Sequence, residues 1–204
     1  MAVTHNGEDV FKQASGFRNA DERTKLEGDD KFPIGSVTKT FTSVGILKLK
    51  ERGKINLNDT LEKYFPDIKW SSQVSIRQLL SHTSGIYNYT DTPSFFEWAE
   101  AHPNATFDDL LSLFASKELE FQPGSKHSYS NSGYVLLGRI IEIESGLSYR
   151  DFLASEIFVP LKMTGTFYVA NGRVRAEAKI AQANMPIDII IKDNTMYFWT
   201  TTPM

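Results

Sequence analysis

Cysteine is absent from the 204 residues, which excludes disulfides, thiolate metal sites and a thiol nucleophile together and leaves the redox compartment open. Long apolar runs are missing as well, none approaching the roughly 18 residues that a membrane span requires. The opening Met1-Ala2-Val3-Thr4-His5 has neither the charged nor the apolar region of a signal peptide, so the chain as given reads as cytoplasmic. A trimmed leader would leave the same start on a periplasmic or secreted protein. Neither sign of charge dominates: 22 basic and 25 acidic residues are interspersed, the formal net charge is -3, and no basic stripe is present to track a phosphate backbone. Nucleic acid is therefore not expected as a partner. His5, His82, His102 and His127 are scattered without the close spacing of a zinc helix, so no metal and no other cofactor is expected.

What is present is an ordinary globular composition, 41% apolar and 23% charged, enough for one sizeable core or two small lobes. Ala2-Val3-Thr4 and Val10-Phe11-Lys12-Gln13-Ala14 read as strands around a turn in which Gly7 is free to take positive φ. A periodic run through Val37, Phe41, Val44, Gly45 and Lys48, flanked by Ile46 and Leu49, predicts a helix from near Ser36 that ends before Gly53. Ser75, Thr106 and Ser148 each precede a polar or acidic residue three positions on and predict further helix starts. Two turn-rich loops, Ser81-His82-Thr83-Ser84-Gly85 and Gln122-Pro123-Gly124-Ser125-Lys126, lie between them. The apolar run over residues 135–142, stopping at Ser145-Gly146, predicts a helix buried on most faces. Near the end, residues 185–191 and 196–200 read as strands, and no repeat or linker divides the chain.

Ser36-Val37-Thr38-Lys39 puts a hydroxyl and an ammonium on one face of a helix start. A neutral, desolvated lysine can take the proton of a neighbouring serine, whose hydroxyl is otherwise a poor nucleophile. The same serine is also an ordinary helix cap. Tyr129-Ser130-Asn131 forms a second cluster, on a loop just before the apolar helix. A phenol near an ammonium can act as general base or acid, and an asparagine amide can hold a substrate carbonyl. Taken alone, this cluster reads more readily as a buried tyrosine and a capping asparagine. A phosphate-loop reading of Gly35-Ser36-Val37-Thr38-Lys39-Thr40 fails, because that loop needs glycine directly before the lysine.

Four segments in order carry a resemblance: residues 32–39 (Phe-Pro-Ile-Gly-Ser-Val-Thr-Lys), residues 79–86 (Leu-Leu-Ser-His-Thr-Ser-Gly-Ile), Pro123-Gly124 with Tyr129-Ser130-Asn131-Ser132-Gly133-Tyr134, and Pro160-Leu161-Lys162-Met163. They resemble the serine β-lactamase and penicillin-binding-protein superfamily, especially its class C-like branch with esterases, D-aminopeptidases and DD-peptidases. The resemblance spans about residues 3–166. It implies an α+β fold of the β-lactamase/transpeptidase type, with a helix-rich lobe and an incomplete antiparallel sheet, over residues 1–166, followed by a divergent tail at 167–204. It implies that Ser36 attacks an amide or ester carbonyl to give an acyl-enzyme, that Lys39 and Tyr129 share proton transfer, and that Asn131 orients the acyl side chain. The Ser36 backbone N–H is implied as half of an oxyanion hole. His82 is implied as a support, packed against the helix that bears the nucleophile.

The family's third motif, Lys-Thr-Gly or His-x-Gly on a facing strand, does not occur in residues 167–204. Loss of one oxyanion donor is expected to slow turnover about 100- to 1000-fold. Two readings follow: a serine hydrolase acting on small amides or esters, such as a β-lactam or D-amino-acid peptide, or an impaired fragment or pseudoenzyme that binds a peptide, a cell-wall component or a partner subunit. In either case a second chain or a missing C-terminal segment would complete the sheet.

Overall fold

Asn6 and Gly7 reverse the chain with φ of +52° and +83°, the pair of positive values that a tight type I′ hairpin turn needs. They join β1 (Ala2–His5) to β2 (Glu8–Lys12) as an antiparallel ribbon with Val3 opposite Phe11. The second strand begins at Glu8, two residues before the expected start, because a two-residue turn is all that Asn6-Gly7 requires. The computed structural model describes residues 1–19, 23–32, 34–102 and 105–168, together with β5 (Ile191–Lys192) and β6 (Thr195–Met196). An unforeseen ribbon, β3 (Phe17–Asn19) with β4 (Thr24–Lys25), follows the first. The antiparallel pairing is as expected, but among the described residues the strands form three separate pairs and not one sheet. Of the expected strands over 185–191 and 196–200, Ile191 and Met196 fall in the β5–β6 pair, and the other residues of both lie outside the described ones.

The helical lobe begins with α1 (Thr38–Glu51), which ends just before Gly53. The predicted cap signals operate as written. Ser75 and Thr106 form complete capping boxes with Gln78 and Asp109 at the starts of α2 (Ile76–Leu80) and α4 (Phe107–Ser112), and Ser148 caps α6 (Tyr149–Leu153). Between them, α3 (Phe95–Ala101) starts from Ser94 in a left-handed conformation without a side-chain cap. The apolar run over 135–142 becomes α5 (Asn131–Ser145), which starts four residues earlier. A π-helical turn, Ala154–Phe158, continues α6.

The core forms where α1, α5 and α6 meet. Ile46 and Leu49 of α1, Leu137 and Ile141 of α5, and Phe152 and Leu153 of α6 are each at most 2% exposed. Burying a side chain of this size contributes about 1.5–3 kcal/mol. The buried stripe of α1 corrects the expected one. It runs through Thr38, Lys39, Thr42, Gly45, Ile46 and Leu49, while Val37 and Val44 are 59% and 39% exposed. Hydrophobicity alone set the wrong phase because three polar residues occupy the inner face, where Lys39 and Thr42 find side-chain partners. Thr42, for example, shares a 2.7 Å hydrogen bond with the Tyr149 hydroxyl. Inward placement of Lys39 is what lets this helix carry a polar site into the lobe.

Candidate active site

A turn of 3-10 helix, Gly35–Val37, runs directly into α1, so Ser36 and Lys39 stand one turn apart on the same side. Ser36 is exposed, whereas Lys39 is only 6% exposed. The Lys39 ammonium donates to Ser36 Oγ at 3.2 Å and lies 4.9 Å from the centre of the Tyr129 ring, within cation–π range.

The second cluster is delivered by the two turn-rich loops, which pair with each other. Glu120 N–H donates to Gly85 O at 2.8 Å, Gly124 N–H to Thr83 O at 2.7 Å and Ser128 N–H to His82 O at 2.8 Å. Gly85 sits at φ +76°, and a Cβ there would lie 2.3 Å from the Phe121 carbonyl oxygen. That close approach directs the chain to Tyr129, whose hydroxyl is 2.8 Å from Ser36 Oγ. Lys39 Nζ donates a further bond to Asn131 Oδ1 at 2.8 Å. Ser36, Lys39, Tyr129 and Asn131, expected from two distant sequence segments, thus form one hydrogen-bonded group.

The chemistry open to this group follows from donors and acceptors. As an ammonium, Lys39 can only donate, so Ser36 Oγ accepts from it and can still offer its own proton to the Tyr129 oxygen. A positive charge at this distance favours negative charge developing on either oxygen. Among the described residues, no cluster of His, Asp or Glu is arranged to hold a metal ion, and no helix is long and apolar enough to cross a membrane.

Residues 1–186 match the family described as Beta-lactamase. The chain belongs to the beta-lactamase family. Its relatives include Penicillin-binding protein 4* of Bacillus subtilis, 35% identical over 179 residues, which are 87% of this chain and 39% of that protein. Solved structures with the same fold include a penicillin binding protein from Bacillus halodurans, 29% identical with a TM-score of 0.72, covering 90% of this chain and 56% of that one. A D-stereospecific amidohydrolase from Streptomyces sp. is 35% identical with a TM-score of 0.64, covering 69% of this chain and 45% of that one. The chain therefore spans between 39% and 56% of the lengths of these three. Penicillin-binding proteins and amidases of the family are serine hydrolases.

In this member of the beta-lactamase family, the first turn of α5 is stitched to the loop over residues 82–92. Ser130 N–H donates to His82 Nδ1 at 3.2 Å, Asn131 N–H to Asn88 Oδ1 at 2.9 Å, and Tyr89 N–H to Ser132 Oγ at 3.0 Å. These bonds take the place of a local cap, since Ser130 makes no side-chain cap bond. His82, at φ +55°, lays its ring 4.6 Å from that of Tyr129, 5.0 Å from that of Tyr134 and 5.8 Å from that of His127. Its pKa is held below the ordinary 6.5 first by burial, then by the charges of Lys39 and His127. The neutral ring that burial favours is also the form whose Nδ1 can accept from Ser130.

Sequence reasoning missed Asn88 and Thr90. The Asn131 amide, expected to face substrate, gives its oxygen to Lys39 and one N–H to Thr90 Oγ1 at 3.2 Å. The only signal at these positions was an Asn-x-Thr triplet, which occurs by chance in a threonine-rich chain.

Proposed function

We propose that Ser36 is the nucleophile of a serine hydrolase that forms an acyl-enzyme on small amide or ester substrates. Lys39 and Tyr129 share the proton transfers, and Asn131 holds the acyl side chain. One observation carries this reading: Ser36 Oγ has the Tyr129 hydroxyl at 2.8 Å and the Lys39 ammonium at 3.2 Å. In the acylation step a bond forms from Ser36 Oγ to the carbonyl carbon, and the serine proton passes to Lys39 in its neutral amine form or to Tyr129 as a phenolate, never to the ammonium or the intact phenol. The carbon–nitrogen or carbon–oxygen bond then breaks, with that proton going to the leaving amine or alcohol. Water reverses the sequence and frees Ser36. The names of the relatives, penicillin-binding protein and D-stereospecific amidohydrolase, favour β-lactams and amides of D-amino acids as first substrates to try.

The test is intact mass after incubation with benzylpenicillin and, separately, an alkyl phosphonate, beside a Ser36→Ala control. A single adduct confined to the unmodified chain supports the reading. Rapid labelling of Ser36→Ala at another residue would sink it. A second reading, an impaired fragment or pseudoenzyme that binds a peptide, a cell-wall component or a partner subunit, is favoured by the absence of a Lys-Thr-Gly or His-x-Gly motif from residues 167–204. It predicts no adduct with either reagent.

A further inference from the structure

The Asn131 side chain can be placed in only one of its two amide orientations. The Lys39 ammonium only donates, so the oxygen of Asn131 must face it at 2.8 Å, and the nitrogen must then face Thr90 Oγ1 at 3.2 Å. Asn88 is fixed by the same logic from the other end. Its nitrogen faces the Asp91 carboxylate, an obligate acceptor, at 3.0 Å, and its oxygen receives the Asn131 backbone N–H at 2.9 Å. Asn88 Nδ2 also donates to Thr90 Oγ1, at 2.7 Å. Both acceptor sites of the Thr90 hydroxyl are therefore occupied by amides, one from each asparagine. Asn88 is only 8% exposed, so its amide is held inside the lobe, with Thr90 and Asn131 half-buried and Asp91 at the surface.

A chain of hydrogen bonds with one consistent set of donors and acceptors thus runs from Asp91 through Asn88 and Thr90 to Asn131 and Lys39. We propose that Thr90 and Asn88 are positioning residues that lock the Asn131 amide, so that its oxygen holds Lys39 beside Ser36 and its second N–H remains for the substrate. That second N–H is not taken up by any hydrogen bond among the described residues. An amide turned with its N–H toward the ammonium would release Lys39 from Ser36, and the Thr90 acceptor adds its hold on Asn131 to the preference that Lys39 itself sets. The inference rests on the reading of Ser36 as nucleophile only for its kinetic consequence; the locking itself is structural.

Thr90→Val keeps the shape and removes the acceptor, Thr90→Ser restores it, and Thr90→Ala replaces Val if the added methyl overpacks. Two measurements are made on the full chain. In the first, the NMR signals of the Asn131 side-chain amide are compared. Thr90→Val moves them toward those of a solvent-exposed asparagine, and Thr90→Ser leaves them in place. In the second, the rate of Ser36 acylation by benzylpenicillin falls about tenfold in Thr90→Val, the effect of one hydrogen bond, and recovers to within about twofold in Thr90→Ser. An unmoved Asn131 amide signal, or a Thr90→Val chain that acylates as fast as the unmodified one, overturns the proposal. If the unmodified chain does not acylate at all, the reading of Ser36 fails, and the amide signals still decide whether Thr90 holds Asn131.

Discussion

The hydroxyl of Tyr129 lies 2.8 Å from Ser36 Oγ although 93 residues separate the two in the chain. The Tyr129 ring rests on His82 and is 44% exposed, so its position does not depend on its hydroxyl. Tyr129→Phe should leave the ring in place and remove only the proton acceptor. The expected outcome is a loss of about 100-fold or more in the rate of Ser36 labelling, the range of general base catalysis, with a change in stability within about 0.5 kcal/mol. Stopped-flow or timed intact-mass measurements check the rate; a labelling rate within a few-fold of the unmodified chain would show that Tyr129 does not handle the proton.

Lys39 poses a different question, because an ammonium can act as a proton carrier or only as a fixed charge. Lys39→Ala removes both, leaving Asn131 Oδ1 without its partner in a site where the lysine was 6% exposed. Lys39→Arg keeps the charge but cannot release a proton near neutral pH. Labelling is expected to fall by about 1000-fold in Lys39→Ala and by a similar factor in Lys39→Arg, in the range of general acid–base effects. If Lys39→Arg labels at near the unmodified rate, charge alone suffices and Lys39 carries no proton.

Much of this site was legible in the sequence because its chemistry is local at each end. Ser36 and Lys39 share a helix face by spacing alone, and Tyr129 and Asn131 sit at the mouth of an apolar helix. The capped helices at Ser75, Thr106 and Ser148 were readable for the same reason, each cap being a contact three residues long. What sequence reading missed depends on partners far along the chain. The stripe of α1 came out in the wrong phase because Lys39 and Thr42 are buried by hydrogen bonds to distant side chains and not by their own hydrophobicity, with Thr38 buried beside them. Asn88 caps α5 from 43 residues away, and no local pattern marks it. Helix α3, entered through Ser94 without a cap bond, offered no start signal to read.

His82 links the site to pH. Its folded pKa is depressed below 6.5, chiefly by burial, with smaller contributions from Lys39 on α1 and His127 on the preceding loop. The unfolded chain therefore binds a proton more readily, so the stabilisation from neutral His82 is complete above pH 6.5 and is lost as pH falls through the folded pKa. His82→Asn tolerates the positive φ, can still accept from Ser130 N–H and does not titrate. The stability difference between the unmodified chain and His82→Asn should shift in favour of the variant between pH 7.5 and pH 5, measured by denaturant titration. A difference that stays constant over that range would mean that His82 is not buried in its neutral form.

Gly85 and Gly7 separate two costs that glycine substitutions usually combine. Both have positive φ, +76° and +83°, so alanine is strained at either position. A Cβ at Gly7 would meet nothing within 4 Å, whereas one at Gly85 would lie 2.3 Å from the Phe121 carbonyl oxygen. Gly7→Ala should therefore cost about 1–2 kcal/mol, the backbone term alone. Gly85→Ala should cost about 3 kcal/mol or more, since the clash is with main chain that carries the Glu120 to Gly85 hydrogen bond. The site should respond as well: pushing residues 120–128 away from the 82–85 loop moves Tyr129 from Ser36, so labelling slows in Gly85→Ala even under conditions where the protein remains folded. Gly7→Ala, on an exposed hairpin turn, should label at the unmodified rate. Equal losses of stability in the two variants would mean that the close pairing of the two loops is not what brings Tyr129 to Ser36.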